Sequence, residues 1–306
     1  LANFVGFSFC FAKIMPIYRD FQVLIAQFTQ KQFHSIEGCL ARPKVDAEAA
    51  FEFRRAVKRL RTVMPILNQS LKLKVAQQKP LGKILRPIYK KAGNQRDLAL
   101  KMTLLEPYAK FQNTQAYREY LAKEHRRAAK LLKEAMAQKP TRMQKALKRQ
   151  ERLWKPLWKP KADKAALWQA FAQVLLRHIG EAVILQPSPD EEDQHQLRAE
   201  LKEIFFLCKI FSKVVPIQYP TLLTDLREVC QHLGHWHDAI LAYHHLGAYH
   251  QQAQLPLPKA AANGLYRHAQ KHWQEAHLRL NTTTLLSRLA QQAAIWQQIN
   301  ETEQGG

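Results

Sequence analysis

FEFRRAVKRLRTVMPIL occupies residues 51–67, and HQLRAELKEIFFLCKIF occupies residues 195–211. Each reads as one helix with two stripes. In the first, Phe53, Val57, Leu60 and Met64 recur at three and four and form the stripe to be buried. Arg54, Lys58 and Arg61 repeat that spacing on a face rotated by about 100°, the angle between consecutive residues of an α-helix. Arg55 and Arg59 lie further round. In the second, Leu197, Leu201, Ile204, Cys208 and Phe211 are the stripe to be buried. Arg198, Lys202 and Lys209 form its basic stripe, with His195 near the N-terminal end.

A second pair of blocks follows each of these. LRPIYKKAGNQRDLALKMTLL (85–105) aligns with LREVCQHLGHWHDAILAYHHL (226–246), and Gly93, Arg96 and Asp97 match Gly234, His237 and Asp238. Two blocks in the same order at near-constant offset indicate an internal duplication. Repeat one covers about residues 15–158, repeat two about 162–300, and 301–306 is a tail. Neither repeat is rich enough in apolar residues to stand alone, so the halves are expected to pack together as one domain. Residues 1–14 read as an extension outside it.

Working outward, the whole chain is all-α. Glycine is scarce, β-branched alternation is almost absent, and long runs rich in Ala, Leu, Lys, Gln and Glu repeat apolar residues at three and four. The pattern predicts helices at 17–36, 45–77, 80–92, 94–110, 114–138, 141–154, 163–184, 189–214, 219–233, 235–252, 257–280 and 282–300. Pro156 and Pro160 in WKPLWKPKADK (154–164) stop a helix. QPSPDEED (186–193) reads as a loop whose acidic residues open the next helix, where carboxylates are favoured by the helix dipole. Gly93 and Gly234 are expected to separate helices, which leaves Arg96, Asp97, His237 and Asp238 at structural loop or helix-start positions.

The charge pattern points to a partner. The chain carries 47 Lys and Arg against 25 Asp and Glu, a formal net charge of +22. Self-repulsion on that scale opposes compaction, and a polyanion is the natural compensation. Cations one turn apart also cost each helix a few tenths of a kcal/mol per pair, about 0.2–0.5, which a negative chain lying across them removes. Arg can grip phosphate oxygens with two parallel bonds, while Lys serves as a mobile point charge. A third row, Lys123, Arg126, Arg127, Lys130 and Lys133, is a candidate groove wall, and Arg267 and Lys271 are its weaker counterpart in the second half.

The four blocks together resemble the CHAD family, the conserved histidine α-helical domain. That family places a His three residues before an Arg, then basic residues along the same helix. His195, Arg198 and Lys202 keep the pattern, whereas Phe51 takes the His position in the first repeat. Glu203 and Phe205 stand where basic residues are preferred in the second. The resemblance covers about residues 20–300. It implies two pseudo-symmetric antiparallel helical bundles packed around a basic groove that binds inorganic polyphosphate, and association with polyphosphate granules.

Other chemistries are set aside. Of the 13 His, His232, His235 and His237 cluster with Asp238, but helical ligand spacing fails if Gly234 breaks the helix. No metal and no cofactor is expected. No nucleophile elbow, phosphate-binding loop or zinc-protease signature is present, so the protein is expected not to be an enzyme. Nucleic acid is the runner-up partner, since its backbone is also a chain of phosphates and Trp154 and Trp158 could stack on bases. Docking to an acidic surface through residues 123–161 is a third reading. No stretch reaches the ~18–20 apolar residues of a membrane span. Four Cys without paired spacing, Cys10, Cys39, Cys208 and Cys230, fit a reducing cytoplasm. The oligomeric state is left open.

Overall fold

The computed structural model describes residues 14–42, 47–73, 75–111, 114–137, 140–159, 163–213 and 217–304. The expectation for residues 1–14 therefore lies almost wholly outside the described residues. Among them there is no strand, and the helices run α1 (Ile14–Ala41), α2 (Ala47–Ser70), α3 (Val75–Leu105), α4 (Gln115–Ala137), α5 (Pro140–Trp154), α6 (Lys164–Leu185), α7 (Glu191–Phe211), α8 (Leu222–Gln252), α9 (Lys259–Thr282) and α10 (Leu285–Gln304). The all-α reading is met.

Helix ends follow local chemistry. Asp190 caps α7, accepting from the backbone N–H groups of Glu192 at 2.8 Å and Asp193 at 3.4 Å, and the acids of the first turn complement the dipole. Asp163 caps α6 in the same way, accepting from Ala166 N at 2.9 Å. Helix α5 ends at Trp154, and the proline-bearing segment Lys155–Trp158 tightens into a 3₁₀ turn.

Two expectations are corrected. The helix predicted at 45–77 ends at Ser70, where Lys72 takes a left-handed conformation (φ 48°) and the Leu73 N–H donates to Asn68 O at 2.9 Å. Gly93 and Gly234 do not break the chain: each lies inside a 31-residue helix, α3 and α8. Helical glycine costs about 1 kcal/mol relative to Ala. Burial of Leu85, Ile88 and Ala92 before Gly93, and of Leu98 and Leu105 after it, outweighs that. In α8 the same work falls to Leu226, Val229 and Leu233, then Ala239 and Leu246. Arg96, Asp97, His237 and Asp238 therefore lie in the middle of helices, neither in a loop nor at a helix start.

Helices from both ends of the chain contribute to one large core. Phe21 of α1 stacks on Phe211 of α7 at 4.5 Å between ring centres and meets Trp168 of α6 edge-on at 5.0 Å. The Trp168 indole donates to Trp296 O of α10 at 2.8 Å. A smaller apolar cluster draws Leu98 and Leu105 of α3, Tyr117 and Leu121 of α4, Leu246 of α8 and Leu265 of α9. Helix α2 packs on α3, α6 and α7, and α3 packs on α8. The helices that carry the four quoted blocks are thus brought side by side.

Candidate functional site

Helices α2 and α7 each bury their apolar stripe, which turns the neighbouring stripe toward the seam between them. Phe53, Val57 and Leu60 are buried on α2, as are Leu197, Leu201, Ile204 and Cys208 on α7. The basic side chains one position on, Arg54, Lys58, Arg198 and Lys202, then face one another across the two halves. Their charges interact directly. Lys58 is held below the usual lysine range by burial first, then by Arg198 and Arg54. Lys202 is lowered to about 7, again by burial first, then by Arg198 and Lys58. Burial likewise opposes the charge of Arg198, against the support of Asp238, and its Nε–H has no hydrogen-bond partner among the described residues.

Aromatic faces and a carbonyl hold these cations in place. Arg54 donates from Nη1 to Tyr89 O at 3.1 Å, with its guanidinium carbon 4.7 Å from the Tyr89 ring centre. Such cation–ring pairs are worth about 0.5–2 kcal/mol. Lys58 Nζ stands 5.6 Å from the centre of the Phe206 ring. Lys202, Phe206, Cys230, Gly234, His235 and Asp238 line an open depression of about 300 Å³. The Cys230 thiol is pushed up to about 12 by burial, so it stays neutral beside Lys202.

The second pair of blocks frames the floor. Arg96 of α3 pairs with Asp97 at 3.2 Å and with Asp238 of α8 at 3.5 Å, which ties one half to the other. His237 and His195 meet Nδ1 to Nδ1 at 2.6 Å, so one of the two nitrogens carries the hydrogen. His195 Nε2 lies 3.3 Å from Glu191 Oε1. His237 is lowered to about 3 by burial, then by Arg198, His195, Lys202 and Arg96, and is neutral at physiological pH.

The remaining candidates fall into outer positions. Arg61 is exposed and stands over the same Tyr89 ring at 5.7 Å, at the rim of the group. Lys209 is exposed near the end of α7, 5.6 Å from the Phe205 ring centre. Arg55 and Arg59 turn instead toward α1, where they line a separate pocket with Lys31, Ser35 and Glu52. Lys123, Arg126, Arg127 and Lys130 are an exposed row on α4, with Arg127 3.8 Å from Glu124. Arg267 and Lys271 are exposed on α9, and Arg267 donates to Asn263 O at 3.3 Å.

Two features escape a reading of the sequence alone. Arg227 lines the same depression, and its place three before Cys230 and seven before Gly234 on a continuous α8 is the signal that reveals it. Trp154, a base-stacking candidate by sequence, is fully buried: its ring stacks on Phe33 at 5.6 Å and its indole donates to Asn68 Oδ1 at 3.2 Å. Trp158 is partly buried against the core. Among the described residues, no helix is long and apolar enough to cross a membrane.

A family model, the CHAD domain, matches residues 19–247. No curated protein matches the chain. The crystal structure of the CHAD domain from the plant Ricinus communis superposes with a TM-score of 0.60, over 88% of this chain and 91% of that one, at 13% sequence identity. At that identity the likeness is one of fold.

Proposed function

The chain belongs to the CHAD domain family, and on that footing we propose that it binds a linear inorganic polyphosphate, without catalysis, at the seam between its two halves. The observation that carries the reading is the meeting of Arg54, Lys58, Arg198 and Lys202, two cations from each half, in a place partly withdrawn from water. Cations so placed weaken one another and destabilise the free protein. A chain of phosphates supplies one negative charge per unit and accepts hydrogen bonds all along its length. The free Nε–H of Arg198 is a donor without a partner, and a phosphate oxygen supplies one.

The number of cations favours a ligand with more phosphates than a nucleotide carries. The cations span two helices, and Arg61 and Lys209 continue the two rows outward. Asp97 and Asp238 are both engaged with Arg96, and among the described residues no third acidic group joins them to make the oxygen cage that phosphoryl transfer with Mg²⁺ needs. This supports binding over hydrolysis. Burial of Trp154 removes the main stacking candidate and argues against nucleic acid. A cytoplasmic protein associated with polyphosphate granules fits the same reading.

The exposed α4 row favours a second, subsidiary mode, docking on an acidic surface beyond the seam. The deciding measurement is calorimetric titration with long-chain polyphosphate, short-chain polyphosphate, ATP and single-stranded DNA at two salt concentrations. Affinity is expected to rise with polyphosphate length, to fall with salt, and to exceed that for ATP and DNA. Equal affinity for ATP and a long chain would sink the proposal.

A further inference from the structure

Four imidazoles from two helices meet on the face where α8 packs against α9. His232 and His235 lie three apart on α8, and His268 and His272 lie four apart on α9. Spacings of three and four put each pair on one face of its helix, and the packing of the two helices turns the pairs toward each other. The ligating nitrogens of His235, His268 and His272 all lie within 4.8 Å of one another. His232 Nδ1 lies 3.0 Å from His272 Nδ1. The His235 and His272 rings stack at 4.8 Å, and His268 meets His272 edge-on at 4.6 Å.

The arrangement depends on Gly234 staying helical. With a break there, His232 and His235 would not share a face, and the sequence alone speaks against a metal for that reason. The continuous α8 removes the objection. Nitrogens about 3.3 Å apart fit a tetrahedral ion with bonds of roughly 2.0–2.1 Å. The His232–His272 separation is already close to that. His235 is exposed and His272 half-buried, so rotation about side-chain bonds can bring the others in.

We propose that His235, His268 and His272, with His232 as a fourth donor, bind one divalent transition-metal ion such as Zn²⁺. Imidazole sets of this kind select zinc, copper or nickel. Mg²⁺ and Ca²⁺ require oxygen donors. Lys271 and Arg279 lie beside the cluster and disfavour an ion held by charge alone, whereas dative bonds from nitrogen are less affected. The inference stands on these four residues and does not require the polyphosphate reading.

The test uses the full chain, stripped with a chelator and titrated calorimetrically with ZnCl₂ and, in parallel, MgCl₂. One zinc per chain is expected at micromolar affinity or tighter, with no saturable magnesium binding. His268→Ala with His272→Ala should weaken zinc binding at least tenfold, while His195→Ala with His237→Ala should leave it unchanged. His235→Ala, at an exposed position, carries the same expected loss with little risk to folding, which helical circular dichroism verifies. Absence of saturable zinc binding overturns the proposal. So does zinc binding that survives the His268/His272 and His235 variants, or that is lost equally in the His195/His237 variant.

Discussion

Arg54 occupies the space that a side chain at residue 93 would fill. Its guanidinium crosses from α2 to α3, and a β-carbon on Gly93 would overlap its Nη1 atom. The glycine inside α3 is thus a landing place for the cation, which then reaches Tyr89 O. In α8 the relation is looser, since a β-carbon on Gly234 would meet Lys202 Nζ at 3.9 Å, an ordinary van der Waals distance.

That difference makes a paired prediction. Gly93→Ala gains about 0.8–1 kcal/mol of helix propensity, and the group it displaces is the end of a flexible side chain. The variant should therefore melt no earlier than the parent while binding polyphosphate several-fold more weakly. Gly234→Ala should bind like the parent. Thermal unfolding and titration on the same two variants check it; equal weakening by both substitutions would remove the role assigned to Gly93.

Lys202 predicts a pH dependence. Its pKa in the folded protein is about 7, below the ordinary lysine value of 10.5. Between those values the unfolded chain holds a proton that the folded chain does not, so stability rises with pH across that window. The penalty is full below about pH 7, where the buried amine is charged. A bound polyanion favours the charged form, so binding should take up a proton above neutrality and weaken as the pH rises above about 7. Titration in buffers of different ionisation heat measures that uptake. Lys202→Arg should remove most of the pH dependence, because the guanidinium stays protonated. A pH profile unchanged by this variant would show that Lys202 does not report on the bound anion.

Much of this site is legible in the sequence because its residues share helices with strong apolar stripes. Once Phe53, Val57 and Leu60 are buried, the direction of Arg54 and Lys58 is fixed by a rotation of about 100°. The same logic cannot place Arg55 and Arg59, since their side of α2 is decided by where α1 packs, a long-range choice. Gly93 and Gly234 read as breaks because propensity is local, whereas the burial that holds α3 and α8 straight comes from other helices. The imidazole cluster is hidden for that reason and because His268 and His272 belong to another helix. Trp154 closes the stripe of Met143, Ala146, Leu147 and Gln150 that α5 buries, but that stripe is short and runs into a basic, proline-bearing segment, which masks the sign of burial.

Burial of Trp154 carries its own expectation. The ring is enclosed, stacked on Phe33 and tied to Asn68. Trp154→Ala removes a large buried side chain, at a cost of about 3–5 kcal/mol. The midpoint of thermal unfolding should fall by roughly 10 °C. Base stacking by this residue would instead predict a stable variant with reduced affinity for single-stranded DNA.

The inner and outer cations should separate by chain length and by salt. Arg54, Lys58, Arg198 and Lys202 act where water is partly excluded, and charge-assisted hydrogen bonds there are worth roughly 1.5–3 kcal/mol each. Lys123, Arg126, Arg127 and Lys130 are exposed, so each contributes far less and is screened over about 10 Å at 0.1 M salt. Changing the inner four to Ala should weaken binding of short and long polyphosphate alike, with the helical circular-dichroism signal intact. Changing the α4 row should spare short chains and weaken long ones modestly. It should also flatten the salt dependence by roughly 0.7 in log–log slope for each phosphate left unneutralised, as for a single-stranded polyanion. Arg142, Lys145 and Lys148, exposed on α5, serve as the distant set and should matter least. Equal losses from all three sets, at both lengths, would mean that the partner reads only the net charge of the surface and that the seam between the halves is not its site.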